Sequence, residues 1–101
     1  MAELGQFKAE FFKALAHPLR IRILDALRDG EVGVNDLGVR LKVEQSNLSQ
    51  QLAVLRRTGL VESSREGASV MYALSTPDVA DLLAAGRRIL GSVLADRGGL
   101  L

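Results

Sequence analysis

From Leu4 onward the apolar residues Leu4, Phe7, Phe11 and Leu15 recur every three or four positions, which puts them on one face of a helix over about 4–16. Phe12 widens that face. Pro18 then suits a first helical position, since it has no amide to leave unbonded. A second helix is expected from there to near Gly30. Leu19, Ile23, Ala26 and Leu27 lie on one side of it and Ile21 and Leu24 on the other, the pattern of a helix covered on both faces. After a turn at 30–33, with a short strand at Glu31-Val32, a helix over 34–41 turns Leu37 and Leu41 inward. Lys42-Val43-Glu44 is a tight connection to a helix from about Gln45 to Thr58, whose buried stripe is Leu48, Leu52 and Leu55 and whose stop is Gly59.

The period then changes. Leu60-Val61-Glu62-Ser63-Ser64 and Ser69-Val70-Met71-Tyr72-Ala73-Leu74 are strand-like runs around Arg65-Glu66-Gly67-Ala68, where Gly67 supplies the positive φ of a hairpin turn. Ser75 or Thr76 caps a last helix that begins at Pro77 and ends at Gly98-Gly99. Its stripe of Val79, Leu82, Leu83, Gly86, Ile89, Leu90, Val93 and Leu94 spans roughly 140° of helix surface. The expected order is α1-α2-(β1)-α3-α4-β2-β3-α5, mainly α with a small β-hairpin, an α+β winged helix-turn-helix. The whole of 1–101 is read as one such domain: helix-turn-helix over about 34–58, wing over about 60–74, and helices over about 4–16 and 77–96 left for dimerisation.

Charge adds a direction. The net value is only +1, but residues 1–39 carry five basic and six acidic groups, 40–67 five and three, and 68–101 three and three. The positive excess therefore lies on the helix-turn-helix and wing. With Leu48 at the centre of the buried side of the fourth helix, Ser46, Gln50 and Arg57 fall nearly opposite it, with Asn47 and Val54 beside them. The stretch from 45 to 55 holds no charge. Asn and Gln can contact base edges through paired hydrogen bonds, and Ser hydroxyls adapt to several bases or to phosphate. These features nominate Lys42, Gln45, Ser46, Asn47, Ser49, Gln50, Gln51, Arg57, Arg65 and Gly67 as residues contacting double-stranded DNA. Arg40 and Arg56 rank lower because either can pair with a nearby carboxylate. Three of the four aromatics lie in the first helix, at one end of the domain. Leu4, Phe7, Phe11, Leu82, Leu83, Ile89, Leu90 and Val93 are accordingly expected at the interface of a homodimer.

Other chemistries are poorly supplied. With no Cys there is no disulfide, thiolate metal site or thiol nucleophile. One His beside a proline and scattered carboxylates make no acid/base or nucleophilic set, so no enzyme and no cofactor are expected. No apolar run approaches the length that crosses a bilayer and the N-terminus lacks a signal pattern, so the expected location is the cytoplasm, with no membrane partner.

Ala14 to Leu24, Gln45 to Arg56, Gly59-Leu60-Val61, and Arg65-Glu66-Gly67 followed by Tyr72-Ala73-Leu74 together resemble the ArsR/SmtB family of prokaryotic transcriptional repressors, over nearly the whole chain. The resemblance implies a homodimer built from the first and last helices, one recognition helix per subunit, and operator binding that an inducer relieves; the symmetry of such a dimer predicts a pseudo-palindromic operator. Metal-sensing relatives carry a Cys-x-Cys pair where this chain has Glu31-Val32-Gly33-Val34-Asn35-Asp36-Leu37, and others bind zinc with His on the last helix, which has none here. A regulator that does not sense thiophilic metals is therefore expected, and His17 is assigned to capping or packing. Ala68 stands where a basic wing residue is frequent. An oxygen-ligand site from Glu31, Asp36, Asp78 and Asp81, an unknown small-molecule effector between the first and last helices, or no effector are left open. The alternative from another class is a winged-helix module that binds protein instead of DNA.

Overall fold

The structure, a computed structural model, describes residues 2–97. Five helices, α1 (Ala2–Ala14), α2 (Pro18–Ala26), α3 (Val34–Leu41), α4 (Gln45–Arg57) and α5 (Pro77–Asp96), accompany three strands, β1 (Val32–Gly33), β2 (Val61–Glu66) and β3 (Ser69–Leu74). The strands form one antiparallel sheet of order β1-β3-β2. Element order and fold class are those expected from the sequence. The end of the last helix at Gly98-Gly99 lies outside the described residues.

Boundaries differ where turns compete with helix. α1 stops at Ala14 because Leu15 and Ala16 bond back to Phe12 and Lys13 in a closing turn before the His17-Pro18 pair. α2 ends at Ala26, not near Gly30, as Leu27 to Gly30 unwind through successive turn bonds to a glycine at φ 137°. The hairpin loop is tighter than expected. Arg65 and Glu66 still pair with Val70 and Ser69, so only Gly67 and Ala68 turn, with Gly67 at φ 63°.

Caps explain the starts. The His17 Nδ1 accepts from the Leu19 amide at 3.2 Å, which makes His17 the N-cap of α2. Thr76 caps α5 by accepting from the Asp78 amide at 3.2 Å, while the Ser75 hydroxyl donates to the Gly59 carbonyl at 2.7 Å and ties the wing's end to the end of α4. The core gathers Ile23, Leu24 and Leu27 of α2 and its C-terminal turn, Leu37 and Leu41 of α3, Leu48, Leu52 and Leu55 of α4, and Leu60 and Val61 leading into the wing. α2 is its central post, although its Ile21 side is left open in a single copy.

Leu55 is fully buried, so Leu55→Ala is expected to lower unfolding free energy by about 2–5 kcal/mol in urea denaturation. Val39→Ala, on an exposed face of α3, is expected to change it by no more than about 0.5 kcal/mol.

Candidate nucleic-acid interface

The leucine stripe of α4 decides what the helix shows to solvent. With Leu48, Leu52 and Leu55 against the core, Gln45, Ser46, Asn47, Ser49 and Gln50 are all exposed, as is Arg57, the last residue of α4. No side chain caps the start of α4, which leaves its first-turn amides available to an anionic partner. The end of α4 is closed by a Schellman motif in which Leu60 bonds to Leu55 at 2.9 Å and Gly59 to Arg56 at 3.1 Å, with Gly59 at φ 83°. That closure sends the chain directly into the wing.

α3 ends in the same way but without glycine. Val43 bonds back to Gly38 and Lys42 to Val39, and Lys42 takes the left-handed position at φ 54°, ψ 52°. Its exposed side chain is thereby fixed at the turn between the two helices, close in sequence to the start of α4. From α2, the Arg22 Nη2 donates to the Leu41 carbonyl at 2.8 Å, satisfying another orphan group at that helix end. On the wing, Arg65 shares its strand face with Val61 and Ser63, the face turned toward the helices, and stands exposed beyond the rim of the core, with Gly67 at the tip.

One residue of the nominated set behaves differently from the rest. Gln51 is half-buried and engaged: its Oε1 accepts from the Arg20 Nε at 2.9 Å and its Nε2 donates to the Asn47 Oδ1 at 3.2 Å. Arg40 is paired with Asp36 at 2.8 Å across one helical turn, as its lower ranking anticipated. Arg20 and Arg22 were not singled out by sequence reasoning. Periodicity gives a helix face but not the partner on another helix, and the only local signal was the Asn47/Gln51 spacing of four.

The nominated association residues fall into two groups. Leu4, Phe7, Ile89, Leu90 and Val93 are exposed in the single copy, Phe7 by 67% and Ile89 by 66%, together with Phe12. Phe11, Leu82 and Leu83 are half-buried, and Phe11 and Leu83 pack against the chain's own core. A groove of about 340 Å³ runs between α2 and α5, walled by Leu15, Ile21, Leu82, Leu83 and Leu90, with Asp25 and Arg87 paired at 3.8 Å beside it. Among the described residues no group of three or more His, Cys, Asp or Glu side chains could hold a metal ion. Glu31, Asp36, Asp78 and Asp81 are each exposed. No helix of the described residues is long and apolar enough to cross a membrane.

Residues 17–63 match the family described as bacterial regulatory protein, arsR family. An uncharacterised HTH-type transcriptional regulator of Mycobacterium tuberculosis, Rv0081, is 52% identical over 103 residues, spanning 97% of this chain and 87% of that protein. The chain belongs to the arsR family. Its likeness to the HTH-type transcriptional regulator NmtR of the same organism is 47% over 75 residues, 74% of this chain and 62% of that protein. The crystal structure of Rv0081 matches this ArsR-family chain with a TM-score of 0.89 at 50% identity, over 93% of this chain and 95% of that one. A solution structure of Mb0332 from Mycobacterium bovis, described as the homodimeric winged helix-turn-helix DNA-binding domain of a possible ArsR-family regulator, matches with a TM-score of 0.85 at 34% identity, over 92% and 86%. Fold and family together make this chain a winged helix-turn-helix transcriptional regulator.

Lys42 carries a Cβ in a conformation that glycine adopts freely, so Lys42→Gly is expected to raise stability by roughly 0.5–1 kcal/mol in thermal melts. Lys42→Ala, which keeps the Cβ, is expected to leave the melting temperature unchanged.

Proposed function

We propose that this ArsR-family chain is a homodimeric repressor or autoregulator that binds a pseudo-palindromic operator in the cytoplasm and does not sense thiophilic metals. The observation that carries the reading is the exposed, uncharged amide and hydroxyl face at the start of α4, flanked by Lys42 at the inter-helix turn and Arg65 on the wing. In this reading α4 enters the major groove with its N-terminal residues against base edges, and Gln50 and Asn47 discriminate bases. Lys42, Arg57 and Arg65 contact phosphates and set register without carrying sequence information. The +2 balance over 40–67 supplies local attraction that the net charge of +1 conceals.

Support for the dimer comes from the terminal helices and from the homodimeric neighbour. Leu4, Phe7 and Phe12 of α1 and Ile89, Leu90 and Val93 of α5 leave apolar surface that a second copy would remove from water. Two-fold symmetry then places two copies of α4 about one helical turn of DNA apart. The absence of Cys from the chain supports a sensor other than a thiolate one.

In gel-shift competition the chain is expected to prefer its selected operator over scrambled DNA; equal affinity for the two would remove sequence specificity from the reading. Gln50→Ala is expected to relax base preference, whereas Lys42→Ala or Arg65→Ala weakens binding to all sequences and lowers the salt slope by about 1 each. Ile89→Glu, at a position exposed in the single chain, is expected to leave the fold intact, yield a monomer in sedimentation and reduce operator affinity at least about tenfold through loss of the linked half-site.

A further inference from the structure

Arg20 sits on α2, half-buried and outside the nominated DNA-contacting set, with its Nη1 donating to the Ala14 carbonyl at 3.3 Å and its Nε donating to Gln51, a member of that set, at 2.9 Å. The direction of this contact is chemically forced. A guanidinium has only donors, so Gln51 must present its oxygen to Arg20 and its NH2 to whatever lies on its other side. On that side, one turn earlier in α4, is Asn47 at 3.2 Å. A donating NH2 needs an acceptor, so Asn47 must in turn give its Oδ1 to Gln51. The chain of bonds therefore fixes the polarity of the exposed Asn47 amide, turning its oxygen back along the helix and leaving the Nδ2 donors for an outside partner.

We infer that Arg20 sets the base preference of Asn47 by fixing the orientation of its amide through Gln51. The inference rests on the DNA-reading function proposed above. An unconstrained Asn can pair with adenine through both its oxygen and its nitrogen. Asn47 instead leads with donors, which suits the major-groove acceptors O6 and N7 of guanine, O4 of thymine and N7 of adenine and disfavours cytosine, whose edge offers only a donor. Gln51 and Arg20 are positioning residues in this scheme, and neither needs to touch a base. Gln51→Glu should reverse the polarity: its carboxylate accepts from Arg20 and also from the Asn47 NH2, which turns the Asn47 oxygen outward toward the donor edges of cytosine and adenine.

The test selects binding sites from randomised duplex DNA with the full wild-type chain and with Asn47→Ala, Gln51→Glu and Arg20→Ala, each checked for fold by circular dichroism. Asn47→Ala locates the position that the amide reads, where the wild type should favour guanine or thymine over cytosine. Gln51→Glu is expected to shift the ratio of guanine plus thymine to cytosine at that position alone by at least about fivefold, and Arg20→Ala to flatten it; adenine, with both an acceptor and a donor on its edge, is left out of the ratio. Recovery of the wild-type ratio by both variants, or an even loss across all positions, overturns the inference. A wild-type chain that selects no motif defeats the DNA-reading function itself and this inference with it. Side-chain amide NMR of the free protein separates the two failures, because Arg20→Ala should shift the NH2 resonances of both Gln51 and Asn47, and unmoved resonances overturn the relay whatever the DNA result. Should Arg20→Ala fail to fold, Gln51→Glu decides, since it retains the Arg20 contact.

Discussion

The rotation of α4 about its own axis is the constraint on which the reading surface depends. Leu48, Leu52 and Leu55 are all essentially buried, and each contributes roughly 1.5–3 kcal/mol by leaving water. Because they sit at i, i+4 and i+7, turning the helix by even one residue, about 100°, would expose part of that stripe and bury an amide in its place. The outward set of Ser46, Asn47, Ser49 and Gln50 is therefore held by what lies on the opposite side. α2 supplies the other half of this constraint: Ile23, Leu24 and Leu27 form the surface against which α3, α4 and the approach to the wing are all seated. The same helix reaches around the core with two arginines, Arg20 to α4 and Arg22 to the end of α3, so the post that supports the two helices also fixes polar groups on both of them.

The terminal helices are attached differently. Of α5 only Val79, in its first turn, is buried, and α1 contributes Ala14 with Phe11 half-buried beside it. Farther from these anchors the apolar residues of both helices face outward. The chain thus divides into a tightly packed middle, from α2 to the wing, and two ends whose apolar pattern is too wide for the core available to them. In the middle, energy is concentrated in orientation. At the ends it is left uncommitted by the single copy.

Most of the fold was legible because its signals are local. The stripes of α3 and α4, the proline at each of two helix starts, and Gly59 and Gly67 at their positive-φ positions mark elements without reference to anything distant. What escaped depends on competition or on distance. The early end of α2 reflects turn bonds that outcompete a final helical turn, and the left-handed Lys42 breaks the preference for glycine because the Schellman closure onto Gly38 and Val39 holds it there. The face of the reading helix could be drawn from periodicity, yet the engagement of Gln51 could not, since its partner Arg20 lies 31 residues away on another helix. A surface Gln and a half-buried Gln fixed by an arginine look alike in a sequence window.

The two-residue turn at Gly67-Ala68 gives the wing the character of a ruler. Pairing persists from Val61↔Leu74 to Glu66↔Ser69 without a bulge, so the hairpin extends in increments of about 3.3 Å per residue and alternates its faces strictly. Arg65 is thus specified by both a reach and a side. One added residue in each strand would carry its guanidinium to the far face of the sheet, while two would restore the face and lengthen the arm by about 6.6 Å. Wing length in such a module is consequently quantised: viable arms differ by pairs of residues on each strand, and odd changes reverse the face that the arm presents to a neighbouring surface.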